Sequence, residues 1–252
     1  MKATTAMHEA AAGARPSLAL PRHIRACLFD LDGVLTDTVG VHVLAWKETF
    51  DAFLHPRSVQ SGGRFVPFDA DLDYGRYVDG RPRLDGVRAF LASRRIELPD
   101  SDVVALGERK NELVLELMRR EGVRRYEGSV RFARAARDAG LQLAEVSASA
   151  NCAAVLAAAG IGDLFELRID GRYTQTNRLR GKPAPDTYLA AAAALRVPPA
   201  EAAVFEDALA GVAAARAGGF GLIVGVDRGG HADALLRAGA DRVVPDLSDL
   251  VS

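Results

Sequence analysis

Apolar residues along this chain follow two rhythms, and the points where one gives way to the other divide it into parts. Residues 24–29, Ile-Arg-Ala-Cys-Leu-Phe, form a short, largely apolar run with the length of a buried strand, followed at once by a polar, glycine-containing turn over 30–37. From 39 to 54 apolar positions recur at helical spacing, and the same rhythm returns over 85–94 and 102–121, the last with charged faces throughout. Between the first two helices, residues 56–80 are rich in Gly, Asp, Arg and aromatic side chains and read as an irregular excursion with a short helix near Leu72. Beyond Gly128 helix and strand alternate: helix 129–139, strand 141–147, helix 151–159, strand 164–169, helix 186–196, strand 202–206, helix 208–217, strand 220–226, helix 231–238 and strand 242–245.

Strands alternating with helices predict an α/β fold, a Rossmann-like parallel sheet covered on both faces. The first strand meets no other until residue 141, so the helical block is an insertion. This divides the chain into a loose N-terminal tail (1–22), an α/β core (23–37 and 124–252) and an inserted α-helical cap (38–123). Open parallel sheets bind ligands outside the carboxyl ends of their strands, which directs attention to the residues ending each strand.

Composition narrows the function. The 252 residues carry 32 Lys and Arg against 33 Asp and Glu, a formal net charge of −1, so no global field draws the molecule to nucleic acid or an anionic membrane. Cys27 and Cys152 stand singly in apolar stretches, without zinc or redox spacing. No segment has the ~20 apolar residues of a membrane span or the apolar run of a signal peptide. These features predict a cytoplasmic protein acting on a small molecule, with a monomer as the default.

The strand ends carry the candidate chemistry. The first ends Asp30-Leu-Asp32-Gly33, two carboxylates that can serve as nucleophile and proton carrier, or merely terminate a strand and cap a turn. The fourth ends Glu206-Asp207, which brings two more acids to the same edge; four converging carboxylates suit a hard cation such as Mg²⁺, although Asp207 alone also reads as a helix N-cap. The second ends Ser147-Ala148-Ser149-Ala150-Asn151, with hydroxyls and N–H groups where a helix begins. Lys182 precedes Pro-Ala-Pro-Asp at another helix start, where a surface turn is the plain alternative.

In combination and order, Asp-x-Asp-Gly, strand-end Ser, Lys before a helix and strand-end Glu-Asp resemble the haloacid dehalogenase-like superfamily, from about residue 24 to the C-terminus. The resemblance implies Asp30 as the nucleophile that becomes an aspartyl phosphate and Asp32 as general acid and base. It implies Mg²⁺ held by the carboxylates of Asp30 and Asp207 and the Asp32 main-chain carbonyl, with Glu206 positioning the metal, and Ser147 and Lys182 holding the phosphoryl oxygens.

Residues 30–38 with His42 and Ala45-Trp46-Lys47, the Ser147-Ala148-Ser149 loop, and Lys182-Pro-Ala-Pro-Asp186 are most similar to the β-phosphoglucomutase-like subfamily. That similarity implies a sugar phosphate substrate and interconversion of β-D-glucose 1-phosphate and glucose 6-phosphate through glucose 1,6-bisphosphate. It also implies substrate-binding positions at Thr38 on the cap hinge, His42, Trp46, Lys110, Ala148 and Asn151, and a second-phosphate ligand at Arg83, a place Arg81 could also fill. Read without the resemblance, His42 and Trp46 are ordinary cap residues and Lys110 belongs to a solvated helix face. Three features depart from the subfamily pattern: Ala150 stands where a lysine follows the serine loop, residues 56–80 are long, and residues 169–180 are unusual. The alternatives are a phosphatase for a small phosphorylated metabolite and a non-catalytic domain that retains the fold.

Overall fold

The computed structural model describes residues 17–251. Its centre is β1 (Ala26–Phe29), four residues with no exposed surface, lying between β2 (Gln142–Val146) and β4 (Ala202–Glu206). With β3 (Leu167–Ile169), β5 (Leu222–Val226) and β6 (Arg242–Val244) they form a parallel sheet of order β3-β2-β1-β4-β5-β6. The chain builds outward from β1 to β3 and then crosses back to β4, so the crevice at the carboxyl ends opens where the strand order reverses.

The alternation of side chains along each strand feeds two cores. Cys27, Phe29, Leu143, Phe205 and Val224 face α4 (Glu127–Asp138) and α5 (Cys152–Ala158), where the Phe29 and Phe205 rings stack at 4.8 Å and Phe132 meets Phe205 edge-on. Ala26, Leu28, Val146, Val204 and Ile223 face α7 (Asp186–Ala194), α8 (Leu209–Ala217) and α9 (Ala232–Ala238). Alanine dominates α7 and α8, which lets both helices lie close to the strands while retaining high helix propensity. This is the α/β architecture predicted from the alternating pattern.

Three helices lie between β1 and α4: α1 (Val39–Ser61), α2 (Arg83–Ser93) and α3 (Asp100–Glu121). They enclose their own apolar cluster, in which Trp46 stacks on Phe50 at 5.1 Å and the Phe50 and Phe90 rings are 4.0 Å apart. The chain enters and leaves this block side by side: Asp37 N–H donates to Arg124 O and Tyr126 N–H to Leu35 O, both at 2.9 Å.

Several local expectations need correction. Helix α1 does not stop at Leu54 but runs through Pro56 to Ser61 and ends at Gly62, whose φ of 65° is the left-handed conformation glycine tolerates. Pro56 removes one helical donor, to the Ala52 carbonyl, yet lies on an exposed turn where water can replace it. The 56–80 segment is therefore less irregular than predicted. It contains an extended stretch anchored by buried Phe68, whose N–H donates to Asp51 at 2.7 Å, and then a helical turn from Leu72 with a π-helical portion at Tyr74–Val78.

An unpredicted helix, α6 (Gly171–Thr176), follows β3, with the Asp170 carboxylate capping it at Tyr173 N–H. The predicted strand over 164–169 is shortened by a 3₁₀ turn at Gly162–Leu164. Part of the predicted tail, residues 1–16, lies outside the described residues. The remainder is not loose, because Leu18 forms an antiparallel bridge with Val251. None of the described helices is long and apolar enough to cross a membrane.

One core position works against stability. Glu145 on β2 is fully buried among apolar residues; the Cys152 thiol donates to Oε2, and Oε1 has no partner among the described residues. Burial pushes its pKa well above the ordinary 4.5. The folded chain thus keeps a proton that the unfolded chain releases above about pH 4.5, so this position destabilises the fold increasingly as pH rises from there until the buried carboxyl ionises. Glu145→Leu is expected to add roughly 1–3 kcal/mol of stability at pH 7 and to flatten this pH dependence, as measured by thermal unfolding between pH 4 and 8.

Candidate active site

Parallel register builds the centre of the site. Phe29 pairs with Glu145 on one side and Phe205 on the other, so the next residue, Asp30, lies level with Val146 and Glu206. Lys182 enters from the segment before α7 and spends its three ammonium protons there. One goes to Asp30 Oδ1, one to Glu206 Oε1 at 2.5 Å and one to the Val146 carbonyl at 3.1 Å. Tyr188, one turn into α7, donates to the same Glu206 oxygen at 2.9 Å, and Ala208 N–H donates to the other. Glu206 is fully buried and turned inward, held by donors on both oxygens.

Asp207 differs from its neighbour. Its main-chain carbonyl accepts from His231 Nε2 at 3.1 Å, whereas its buried carboxylate has no donor among the described residues. Gly33, at φ 84°, leaves that carboxylate its room; a Cβ there would lie 1.8 Å from Asp207 Oδ2. Asp30, Glu206 and Asp207 each offer an oxygen within 4.8 Å of the others. Burial pushes the pKa values of Asp30 and Asp207 well up, and the crowding of negative charge adds to this, with Lys182 opposing it. A buried all-oxygen set holding more acid than its single lysine can neutralise fits a hard divalent cation.

Asp32 follows on the same loop and receives the Thr38 hydroxyl at Oδ1. Thr38 is buried, bonds Thr36 at 3.0 Å and does not line the cavity. The residue expected to touch substrate is thus placed at the N-terminus of α1, where its hydroxyl meets Asp32. His42, one turn further, presents Nε2 to Asp32 at 3.5 Å, too long for a hydrogen bond, which leaves that atom buried without a partner among the described residues. On the far side of the ring, Lys110 Nζ lies 2.9 Å from Nδ1 and 4.8 Å from the centre of the Trp46 ring.

Burial, aided by the Lys110 charge, lowers the His42 pKa to about 4, so the ring is neutral at pH 7. Nδ1 then accepts from Lys110, and the remaining proton belongs on Nε2, facing Asp32. Lys110, expected from the resemblance to bind substrate and from its charged run alone to be solvated, is buried. Burial, with Arg83 assisting and Asp32 opposing, lowers its pKa to about 7.

These groups border one cavity of about 740 Å³ between the sheet edge and the helical block, the size of a small-molecule site. Ser147, Ala148 and Asn151 line its core side. Ser147 Oγ accepts from Ser149 N–H at 3.0 Å, and Asn151 reaches across to donate to Asn111 of α3 at 2.8 Å. Arg81 and Arg83 both line the opposite side. Arg83 pairs with Glu108 at 2.6 Å while its Nε stays buried without an acceptor among the described residues.

Sequence reasoning missed Tyr188, Asn111, Tyr74 and Asp79, all of which lie at or beside this site. The Asp79-Gly80 turn was the one available signal. Trp46 is the only tryptophan in the chain, so its emission reports on the ammonium above it. Without ligand, the fluorescence is expected to titrate with a midpoint of about 7 as Lys110 loses its proton; Lys110→Met should abolish the transition, and a wild-type signal flat from pH 5.5 to 8.5 would contradict the buried placement.

Comparison with known proteins agrees with this geometry. The model of the haloacid dehalogenase-like hydrolases matches residues 24–219. The β-phosphoglucomutases of Mycobacterium bovis and Mycobacterium tuberculosis are each 50% identical over 246 residues, which span 93% of this chain and 94% of theirs. Among solved structures, β-phosphoglucomutase from Clostridium difficile superposes with a TM-score of 0.71 at 25% identity, over 90% of this chain and 93% of that one. CbbY from Rhodobacter sphaeroides, solved with xylulose-(1,5)bisphosphate, gives 0.71 at 25% identity, over 90% of this chain and 96% of that one. Matched across sequence, fold and the order of its strand-end acids, the chain belongs to the haloacid dehalogenase-like hydrolase family, in its β-phosphoglucomutase-like branch.

Proposed function

We propose that this chain is a Mg²⁺-dependent phosphomutase interconverting β-D-glucose 1-phosphate and glucose 6-phosphate through an aspartyl phosphate on Asp30. One observation carries the reading. A single cavity holds Asp30 with Lys182 on the sheet side and, opposite them, two basic side chains, Lys110 and Arg83, with His42 and Asp32 also on its lining. The 50% identity to β-phosphoglucomutases along almost the whole chain supports the same assignment.

In the forward cycle the 6-hydroxyl of glucose 1-phosphate attacks the phosphoryl group on Asp30, and Asp32 accepts the hydroxyl proton as the Asp30 acyl–phosphate bond breaks. The resulting 1,6-bisphosphate turns round in the cavity. Asp30 then attacks the phosphorus at position 1, and Asp32 returns its proton to the departing sugar oxygen. Thr38 holds Asp32 in line for both steps, and neutral His42 presents its Nε2 proton beside it. Lys182 and Ser147 steady the phosphoryl oxygens at Asp30, where positioning and charge provide most of the rate. Bound by Asp30, Asp207 and the Asp32 main-chain carbonyl, with Glu206 behind them, Mg²⁺ would neutralise charge on the transferring group.

Arg83 and Lys110 hold the phosphate that is not transferring, with Trp46, Ala148 and Asn151 shaping the sugar space. The helical block, residues 38–123, acts as a cap on the paired crossings at Asp37 and Arg124, and its closure keeps water from the acyl phosphate.

The test is phosphorus NMR on the purified protein with β-glucose 1-phosphate, Mg²⁺ and a trace of glucose 1,6-bisphosphate. Glucose 6-phosphate is expected without inorganic phosphate, with Asp30→Asn silent and Arg83→Ala, His42→Ala at least ~100-fold slower. Inorganic phosphate as the main product would instead make the protein a sugar phosphate phosphatase using the same core.

A further inference from the structure

Helix α3 turns one row of side chains toward the cavity. Val104, Glu108 and Asn111, spaced at one-turn intervals, all line it, and Asn111 receives the Asn151 amide at 2.8 Å. Glu108 therefore belongs to the cavity wall, whereas its neighbours Arg109 and Glu112 pair with each other in the solvent. Its carboxylate accepts from Arg83 Nη2 at 2.6 Å. Gly107 allows this close approach: a Cβ there would lie 2.8 Å from Leu84 Cδ2, 3.5 Å from Arg83 Nε and 3.6 Å from Arg83 Cγ.

The pair is incomplete. Nε and Nη2 form one edge of a guanidinium, the edge that two oxygens of a carboxylate or a phosphate fill together. Glu108 takes only Nη2, and Nε is buried without an acceptor among the described residues. The Glu108 side chain is 55% exposed and that of Arg83 26%, so the carboxylate can swing into solvent while the guanidinium stays on the wall. A part-exposed pair of this kind is weak enough to exchange. A bare guanidinium on a wall shared with the buried Lys110 ammonium is less favourable.

The proposed cycle needs a ligand that both holds and releases. The phosphate at the far end of the sugar must be fixed while the other reacts, then let go so that glucose 1,6-bisphosphate can turn round. A phosphate on the Nε–Nη2 edge would satisfy both donors and displace Glu108. As it leaves, the carboxylate returns to Nη2 and the cation is not left unpaired. Binding of the far phosphate is weakened by the strength of the pair it replaces, and its release is faster by a matching factor.

We propose that Glu108 is the exchange partner of Arg83, a positioning residue that takes the guanidinium whenever the far phosphate departs and so lets the sugar bisphosphate turn. The inference rests on the reading of Arg83 as the ligand of the non-transferring phosphate. Glu108 acts through Arg83 and has no part in bond making or breaking.

The test is a double-mutant cycle on the full chain carrying Asp30→Asn, which keeps glucose 1,6-bisphosphate unreacted. Affinity for that ligand in Mg²⁺ is measured by calorimetry for the parent, Glu108→Gln, Arg83→Ala and the combination. Glu108→Gln is expected to tighten binding about fivefold, the range a part-exposed ion pair supplies, and to change it by less than about twofold once Arg83 is alanine. With Asp30 restored, Glu108→Gln should lower KM and kcat together, because the intermediate leaves more slowly; loss of mere support for Arg83 would raise KM. If Glu108→Gln does not fold, Glu108→Ala takes its place. Unchanged or weaker binding, tightening that persists without Arg83, or tighter binding with kcat unchanged would each overturn the inference and leave the proposed reaction standing. A parent protein that binds no glucose 1,6-bisphosphate would overturn the substrate reading and the inference together.

Discussion

The Lys182 ammonium is fully enclosed, and its three protons go to Asp30, Glu206 and the Val146 carbonyl, groups supplied by three adjacent strands. That geometry exists only because β1 pairs in parallel with β2 and β4 in the register that sets Phe29 opposite Glu145 and Phe205. A shift of one residue would turn Asp30 to the other face of the sheet. Buried charges of this kind are costly unless paired, and removing the lysine would leave two carboxylates uncompensated, a loss of roughly 3–5 kcal/mol. The arrangement is thus a poor device for stability and a good one for keeping a carboxylate in one position with one oxygen occupied.

From that fixed point the remaining groups fall into two sets. The core supplies rigid pieces at strand ends: the loop of Asp32 and Gly33, the serine loop, and Glu206-Asp207, whose main chain is tied to His231. The cap supplies His42, Trp46, Arg83 and Lys110, which meet the core only across the cavity. Thr38 links the sets, because it begins the first cap helix and bonds the Asp32 carboxylate. In the proposed cycle, movement of the helical block would pass through Thr38 to the group that moves protons.

The core was readable because parallel strands announce themselves as short apolar runs, and because a strand end is one position in sequence and one place in space. Asp30, Ser147, Lys182, Glu206 and Asp207 could be nominated before any coordinates, since the topology brings carboxyl ends together. The cap was less readable. Helix α1 continues through Pro56 because an exposed turn tolerates a lost donor, which no periodicity reveals. Lys110 lies in a charged run that looks solvated, yet α3 turns that one residue inward against Trp46. Thr38 was nominated for substrate and its bond to Asp32 went unread, since a side chain at a helix start can face either the cavity or its own preceding loop. Tyr188 was hidden in an alanine-rich helix, and Asp79 in a segment whose fold depends on packing against the core.

The central claim is that this buried geometry makes Asp30 the nucleophile. Borohydride trapping tests it most directly: protein mixed with glucose 1,6-bisphosphate and Mg²⁺ is quenched with borohydride, which reduces an acyl phosphate to the alcohol, and then mapped by peptide mass spectrometry. Conversion of position 30 to homoserine, dependent on the sugar bisphosphate and with Asp32 and Asp207 unaltered, is the predicted result. An unmodified Asp30 under conditions of active turnover, or reduction at another carboxylate, would contradict the account.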